Sequence, residues 1–172
     1  MADRWPVATV FRVRGGWVGL ARSERGLCRS TLPEASREKA LQHIGPGATL
    51  VAAEEDPLLS KAAALVKAYF AGEAARFELP VDLSGVPDFT RSVLLECHKI
   101  PYGSTASYGE LARRVGNPRA ARAVGQAMRR NPLPPIIPCH RVVGSDGSLV
   151  GFAGGTEGLP LKRALLDRER PG

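Results

Sequence analysis

Ser107-Tyr-Gly-Glu-Leu-Ala-Arg-Arg-Val-Gly-Asn-Pro-Arg-Ala-Ala-Arg-Ala-Val-Gly-Gln-Ala-Met-Arg-Arg130 reads as two helices joined by a turn. Ser107 and Glu110 form a capping box, in which the serine oxygen takes an orphan N–H and the glutamate reaches back to the cap. The helix they start buries Leu111 and Val115 and stops at Gly116. Asn117 then caps a second helix, with Pro118 at its first position and its end near Arg130. Two helices joined by a turn of about three residues are the skeleton of a helix-turn-helix. On the second helix Ala120, Val124 and Met128 recur every fourth residue and face the core. Arg119, Arg122, Gln126, Arg129 and Arg130 occupy the opposite face. Such a stripe alone fits a merely solvated surface. Here the remaining positions are Ala121, Ala123, Gly125 and Ala127, whose small side chains let the helix axis approach whatever the arginines touch, which points to nucleic acid.

C-terminal to this pair, the proline-rich Asn131-Pro-Leu-Pro-Pro-Ile-Ile leads into Pro138-Cys-His-Arg141. A thiol with an ordinary pKa near ~8.5 needs help to become a nucleophilic thiolate, and histidine is the commonest helper. Cys139 is therefore the candidate nucleophile. Ser145-Asp-Gly147 predicts a turn before Leu149 to Phe152, and Ala153-Gly-Gly155 is a backbone that could bring N–H groups against a substrate. A last helix, Pro160 to Arg168, buries Leu161 and Leu165, and Glu169 falls on the same stripe, where His140 could partner it. N-terminal to the pair, Phe89, Val93, Leu94, Cys97 and Ile100 form one face of a helix ended by Pro101. That helix holds a second Cys-His dipeptide, Cys97-His98. Successive helical residues point about 100° apart and burial makes a thiol inert, so Cys97 reads as core.

The first half carries no chemistry of this kind. Val7 to Arg14, a Gly15-Gly16 turn and Trp17 to Ala21 predict a β-hairpin, extended by a strand near Leu27 to Leu32. Glu34 to His43 predicts a short helix stopped by Gly45-Pro-Gly47. Asp56-Pro57 starts another, with the stripe Leu58, Ala62, Leu65, Val66, Tyr69 and Phe70. Cys28 and His43 are isolated, and packing or a solvated loop accounts for them. The Leu79 to Pro87 connector places a boundary between domains 1–82 and 83–172.

The 172 residues can bury a real core, and the net charge of +7 with pI near 9.8 suits a polyanionic partner without requiring one. Three cysteines without a C-x-x-C pair argue against a disulfide framework or zinc ribbon. Asp3 and Arg4 precede any apolar run, which is unlike a signal peptide, and no apolar stretch approaches the ~18 residues of a membrane span. A reducing, cytoplasmic compartment is the expectation. A Cys-His-carboxylate hydrolase would leave the helix-turn-helix unexplained, and a pure DNA-binding regulator would leave Pro138-Cys-His-Arg141 unexplained. A thiolate acting on a group carried by nucleic acid explains both.

Ile100-Pro-Tyr-Gly, Ser107-Tyr, Leu111-Ala, Arg122-Ala-Val-Gly125, Asn131-Pro, Ile137-Pro-Cys-His-Arg-Val142, Gly151-Phe-Ala-Gly-Gly155 and Leu165-Leu-x-x-Glu169 resemble the O6-alkylguanine-DNA alkyltransferases, or methylated-DNA–protein-cysteine methyltransferases. The motifs run in family order from about Phe89 to Glu169. The resemblance implies an α/β N-terminal ribonuclease-H-like domain and a mostly α C-terminal domain with a winged helix-turn-helix. It implies irreversible, stoichiometric transfer of the alkyl group from O6-alkylguanine in double-stranded DNA to Cys139, with O4-alkylthymine as a further candidate. His140 would take the thiol proton through a water, Glu169 would orient the imidazole, and Asn131 would tie the helix-turn-helix to the Cys-His turn. Arg122 would enter the duplex in place of the extruded nucleotide, at a cost of a few kcal/mol for extrusion. Tyr108 would press on the adjacent phosphate and bond the flipped base. The second helix would enter the minor groove through Ala121, Ala123, Gly125 and Ala127, with Arg129 beside it. The carbonyls of Cys139 and Val142 and the N–H of Ala153 would read guanine, with Met128 and Phe152 lining the pocket. No cofactor and no metal are expected, and the protein is expected to be a monomer, nucleoid-associated when on DNA, with cooperative assembly there left open.

The chain departs from the family pattern in a few places. Phe152 stands where some members have tyrosine, Thr90 replaces a common glutamine and Leu94 a common tryptophan. About three extra residues lie between Gly155 and Lys162. The zinc ligands of some animal members have no counterparts. Cys139 argues against the related alkyltransferase-like proteins, which bind damage without repairing it, and no additional N-terminal domain is expected that would make a methylation-responsive regulator.

Overall fold

The computed structural model describes residues 6–152 and 158–171. The chain divides into two units, Met1–Gly85 with Pro132–Pro134, and Val86–Asn131 with Pro135–Gly172.

In the first unit the predicted hairpin forms: β1 (Val7–Val13) and β2 (Gly16–Arg22) pair antiparallel, from Val7 opposite Arg22 to Val13 opposite Gly16. Gly16 has φ +149°, and a Cβ there would stand 2.3 Å from the Glu34 carbonyl oxygen, so the turn requires glycine twice over. β3 (Leu27–Ser30) adds to β2, and a fourth strand that periodicity did not suggest, β4 (Thr49–Leu50), pairs parallel with Val7 and Ala8. The sheet order is β3-β2-β1-β4.

Two helices flank these strands in sequence. α1 (Arg37–Ile44) starts on Ser36, whose side chain accepts from the Lys39 N–H. α2 (Pro57–Phe70) starts on Asp56, which accepts from Leu58 and Leu59 and also pairs with Arg22 at 3.2 Å. The buried face of α2 runs through Leu59, Ala62, Ala63, Val66, Tyr69 and Phe70, so Leu59 rather than Leu58 leads the stripe. The return of Pro132–Pro134 to this unit is fixed by Ser30, whose N–H donates to Pro132 O at 2.9 Å and whose hydroxyl donates to Pro134 O at 2.6 Å. His43 Nδ1 lies 2.5 Å from Glu34 and Cys28 is half-buried; among the described residues no group of three His, Cys, Asp or Glu could hold a metal.

The second unit holds α3 (Asp88–His98), α4 (Tyr108–Arg114), α5 (Ala121–Arg129) and α6 (Leu159–Glu169). On α3 the buried face is Thr90, Val93, Leu94 and Cys97, while Phe89 is exposed, one position off the predicted stripe. A short parallel pair, β5 (Ala106–Ser107) with β6 (Val142–Val143), lays the start of α4 beside the chain leaving the Cys-His turn. No helix among the described residues is long and apolar enough to cross a membrane.

The capping box of α4 forms as read, with Ser107 Oγ accepting from the Glu110 N–H at 3.0 Å and Glu110 accepting from the Ser107 N–H at 2.7 Å. Its buried residues are Leu111 and Ala112, with Val115 only half-buried. The start of α5 is a correction. Gly116 (φ +80°) and Asn117 close a Schellman motif on α4, donating to Arg113 O and Ala112 O. Asn117 is spent on that closure, its carbonyl takes the Ala120 N–H, and the chain turns once more before α5 begins at Ala121. The linker is longer than a three-residue turn, and the N-cap is Ala120, without a side-chain hydrogen bond.

Candidate active site

Cys139-His140-Arg141 form one short 3-10 turn, immediately before β6. Pro138 precedes it, and Asn131 Nδ2 donates to the Ile137 carbonyl at 2.7 Å, joining the end of α5 to the strand of chain that delivers the cysteine. Cys139 is 7 % exposed and lines a cavity of about 380 Å³. Tyr108, Met128 and Phe152 line it as well, giving an aromatic and apolar interior, and the exposed Arg122 and Arg129 stand at its mouth. Ala121, Gly125 and Gln126 of α5 complete that side, and Val150 and Gly151 the other. Arg122 and Arg129, two arginines of the stripe, thus border the cavity that holds the thiol.

Not every predicted residue joins this cavity. Ala127 is 2 % exposed and packs inward beside Val124 and Met128, so it is not part of the small-residue face; Ala123 is exposed on α5 but does not line the cavity. Val142 is buried in β6, paired with Ala106, and its side chain does not line the cavity either. Ala153 lies outside the described residues, as do Gly154 and Gly155.

Behind the thiol sits a buried charge cluster. His140 Nε2 lies 2.7 Å from Glu169 Oε1 at the last turn of α6. Arg141 holds the same carboxylate from the other side, Nε to Oε2 at 2.8 Å and Nη2 to Oε1 at 2.9 Å, and its Nη1 donates to Ile100 O at 2.7 Å. Burial would raise the Glu169 carboxyl, but hydrogen bonds from His140 and Arg141 outweigh it and bring the pKa from 4.5 to about 2. Burial dominates at His140 and pulls its pKa down, against the pull of Glu169. The stable arrangement is a neutral imidazole donating its Nε2 proton to an ionised Glu169 whose charge Arg141 already balances. Nδ1 is then the basic nitrogen.

Burial likewise pushes the Cys139 thiol up, while the hydrogen bond from Asn131 and the charge of Lys162 work toward the thiolate. Tyr108 is raised by burial and by the nearby Cys139. Cys97, fully buried, is held well above its usual value by desolvation, as an inert core thiol should be.

Two residues here escaped the sequence reading. Arg141 stands in the Pro-Cys-His-Arg motif, where nothing in the sequence reveals that it is buried and in need of an acid. Lys162 is masked in the sequence by Leu161 and Leu165, which are four apart and read as the apolar stripe of α6. Leu161 is 36 % exposed, and the buried positions are Lys162, Leu165 and Glu169. The spacing of three and seven was an equally good helical signal.

Fold and site together define a class: a buried cysteine with a histidine–carboxylate relay, opening onto an arginine-edged helix that follows a capped partner helix. Comparison with known proteins narrows the class. The profile of the 6-O-methylguanine DNA methyltransferase, DNA binding domain, matches residues 88–171. A methylated-DNA–protein-cysteine methyltransferase of Methanosarcina acetivorans is 44 % identical over 116 residues, covering 67 % of this chain and 72 % of that protein. Among solved structures, Mycobacterium tuberculosis OGT in complex with DNA is 38 % identical, with a TM-score of 0.76 over 95 % of this chain and 92 % of that one. The O6-methylguanine-DNA methyltransferase of Pyrococcus kodakaraensis is 27 % identical, with a TM-score of 0.65 over 95 % and 99 % of the two chains. The chain belongs to the methylated-DNA–protein-cysteine methyltransferase family.

Proposed function

We propose that this protein repairs DNA by direct reversal, moving the alkyl group of O6-alkylguanine onto Cys139 in a single, irreversible turnover. The observation that carries the reading is Cys139 inside an apolar cavity with Arg122 and Arg129 at its mouth and His140–Glu169 behind it. His140 Nδ1, through a water, takes the thiol proton. The sulfur attacks the alkyl carbon, the S–C bond forms as the C–O6 bond breaks, and the guanine leaves as an anion that regains one proton. The thioether has no route back to a thiol, so the protein is consumed. This needs no cofactor.

The partner is double-stranded DNA, met by α5 through the minor groove as part of a winged helix-turn-helix, by a monomer working at the nucleoid. Ala121, Ala123 and Gly125 allow close approach, and the uncapped start of α5 leaves N–H groups for a phosphate. Arg122 fills the stack behind the extruded nucleotide, Tyr108 bonds the flipped base, and Arg129 contacts the backbone. Met128 and Phe152 hold the base while the carbonyls of Cys139 and Val142 and the N–H of Ala153 read it. Asn131 positions the turn, and Glu169 acts through His140. The N-terminal α/β unit is read as ribonuclease-H-like, with the domain boundary at residues 82/83, three residues before the division of the two compact units at Gly85.

The test is a single-turnover assay on an oligonucleotide carrying O6-methylguanine. One methyl group should appear on the Cys139 peptide and transfer should stop at one equivalent. Repeated turnover would overturn the consumed-thiol mechanism, and tight binding without transfer would overturn repair altogether. Arg122→Ala should slow repair of duplex DNA while leaving reaction with a free alkylated base nearly unchanged, because only extrusion uses the finger.

A further inference from the structure

Among the described residues, Lys162 is a buried titratable group beside the cavity that the transfer chemistry above does not use. It is 1 % exposed on α6. Its Nζ donates to Gly151 O at 3.0 Å and to the Tyr108 hydroxyl at 3.4 Å, and lies 5.7 Å from the Tyr108 ring centre. Both Gly151 and Tyr108 line the cavity that contains Cys139. Among the described residues no carboxylate pairs with this ammonium; Glu169, two turns further along α6, is engaged by His140 and Arg141. Among the described residues its neighbours are a carbonyl, a hydroxyl and a ring, and a buried cation so placed is costly unless an anion meets it.

We propose that Lys162 is a positioning residue for the transfer: its ammonium, fixed behind the cavity wall by Gly151 and Tyr108, is the counter-charge that Cys139 meets on ionising, and the ammonium is left without its anion when the sulfur is alkylated. The proposal rests on Cys139 being the reacting thiol. Other groups within electrostatic reach of Lys162 are Tyr108 of α4, Cys97 of α3 and His140 of the Cys-His turn, with Arg141 next to His140. His140 is neutral and Arg141 spends its charge on Glu169. Cys97 stays protonated, which leaves the Cys139 sulfur as the anion that forms. Burial draws the Lys162 pKa down from 10.5, and the two sulfurs oppose that. Tyr108, already raised, remains a hydroxyl. The consumed protein therefore carries a buried ammonium that the fresh protein could balance.

The experiment uses the full chain and iodoacetamide, with carboxamidomethylation followed on the Cys139 peptide by mass spectrometry as a function of pH. Lys162→Met should move the Cys139 midpoint up by about one pH unit, roughly tenfold slower at neutral pH. Lys162→Arg, which keeps the charge, should stay within about threefold of the parent. An unchanged profile in Lys162→Met, or an equal loss in Lys162→Arg, would overturn the proposal. Should neither variant fold, the Lys162 side chain can be titrated by 13C NMR in the parent protein before and after carboxamidomethylation. Its midpoint should fall on modification, and an unmoved midpoint would overturn the proposal. Neither readout uses alkylated DNA, so a failure of repair and a failure of this proposal are told apart.

Discussion

The second unit contains the same dipeptide twice, Cys97-His98 on α3 and Cys139-His140 in the turn before β6, and only one has the makings of an active site. Both cysteines are buried. On α3 the regular helix turns the neighbouring side chains apart, and Cys97 packs with Val93 and Leu94 against the core. In the 3-10 turn the cysteine meets a cavity while the histidine is carried back onto Glu169. The difference lies in the backbone and in what each histidine can reach. A Cys-His pair is thus a composition, and the turn makes it a site.

The sharpest way to break this comparison is to remove each sulfur in turn. Cys139→Ala should abolish alkyl transfer completely. Cys97→Ala should leave the transfer rate within about twofold and cost about 1 kcal/mol of stability, read as a lower urea midpoint. Loss of transfer in the Cys97 variant would mean that the α3 pair is not merely core.

Next comes the arginine that one pair has and the other lacks. Arg141→Met leaves Glu169 buried without its guanidinium, and breaking a buried pair of this kind costs about 3–5 kcal/mol. The expected result is a large drop in melting temperature. A drop comparable to that of Cys97→Ala would show that the carboxylate is solvated enough to stand alone.

The pattern of what was legible follows the same logic. Local signals were read well: the β1–β2 hairpin, the Asp56-Pro57 start of α2 and the Ser107–Glu110 capping box all depend on a few adjacent residues. The structure brings His140 onto Glu169 beside Cys139, a grouping that reactivity, spacing and a family resemblance led one to expect. Long-range consequences were missed. The β5–β6 pair joins Ala106 to Val142, and nothing near either residue announces the other. Asn117 was assigned to cap α5, but a Gly116 Schellman closure claimed it first. Lys162 displaced Leu161 from the buried face of α6 because its environment is made by Tyr108, far away in sequence, together with Gly151 just before α6.

The histidine relay gives a prediction in rate and another in pH. Glu169→Gln should raise the Cys139 pKa by about one unit, slowing thiol alkylation roughly tenfold at neutral pH, measured by the pH profile of iodoacetamide reaction. An unchanged profile would reduce Glu169 to a structural ligand of Arg141. Acid stability carries the same groups. Glu169 is depressed from 4.5 to about 2, so its contribution is present above pH 4.5 and is lost as pH falls toward 2. His140, depressed below 6.5 by burial, resists protonation in the fold, so stability also declines as pH drops below 6.5. Thermal melts of the parent and Glu169→Gln should diverge above pH 4.5 and converge in acid.

The smallest effect tests whether the turn depends on its neighbours as the helical pair does not. Ser107 caps α4 and, through β5, also lies opposite Val143 of β6, two residues beyond Arg141. Ser107→Ala removes one cap hydrogen bond and should cost about 1 kcal/mol. Because the cap also anchors the strand leaving the Cys-His turn, amide exchange should quicken at Glu110, whose N–H loses its acceptor, and at β6. α3 has no side-chain N-cap to lose, so exchange at Cys97 should follow only the global stability. Faster exchange at Glu110 with β6 unmoved would mean that the short parallel pair does not couple the helix start to the cysteine turn.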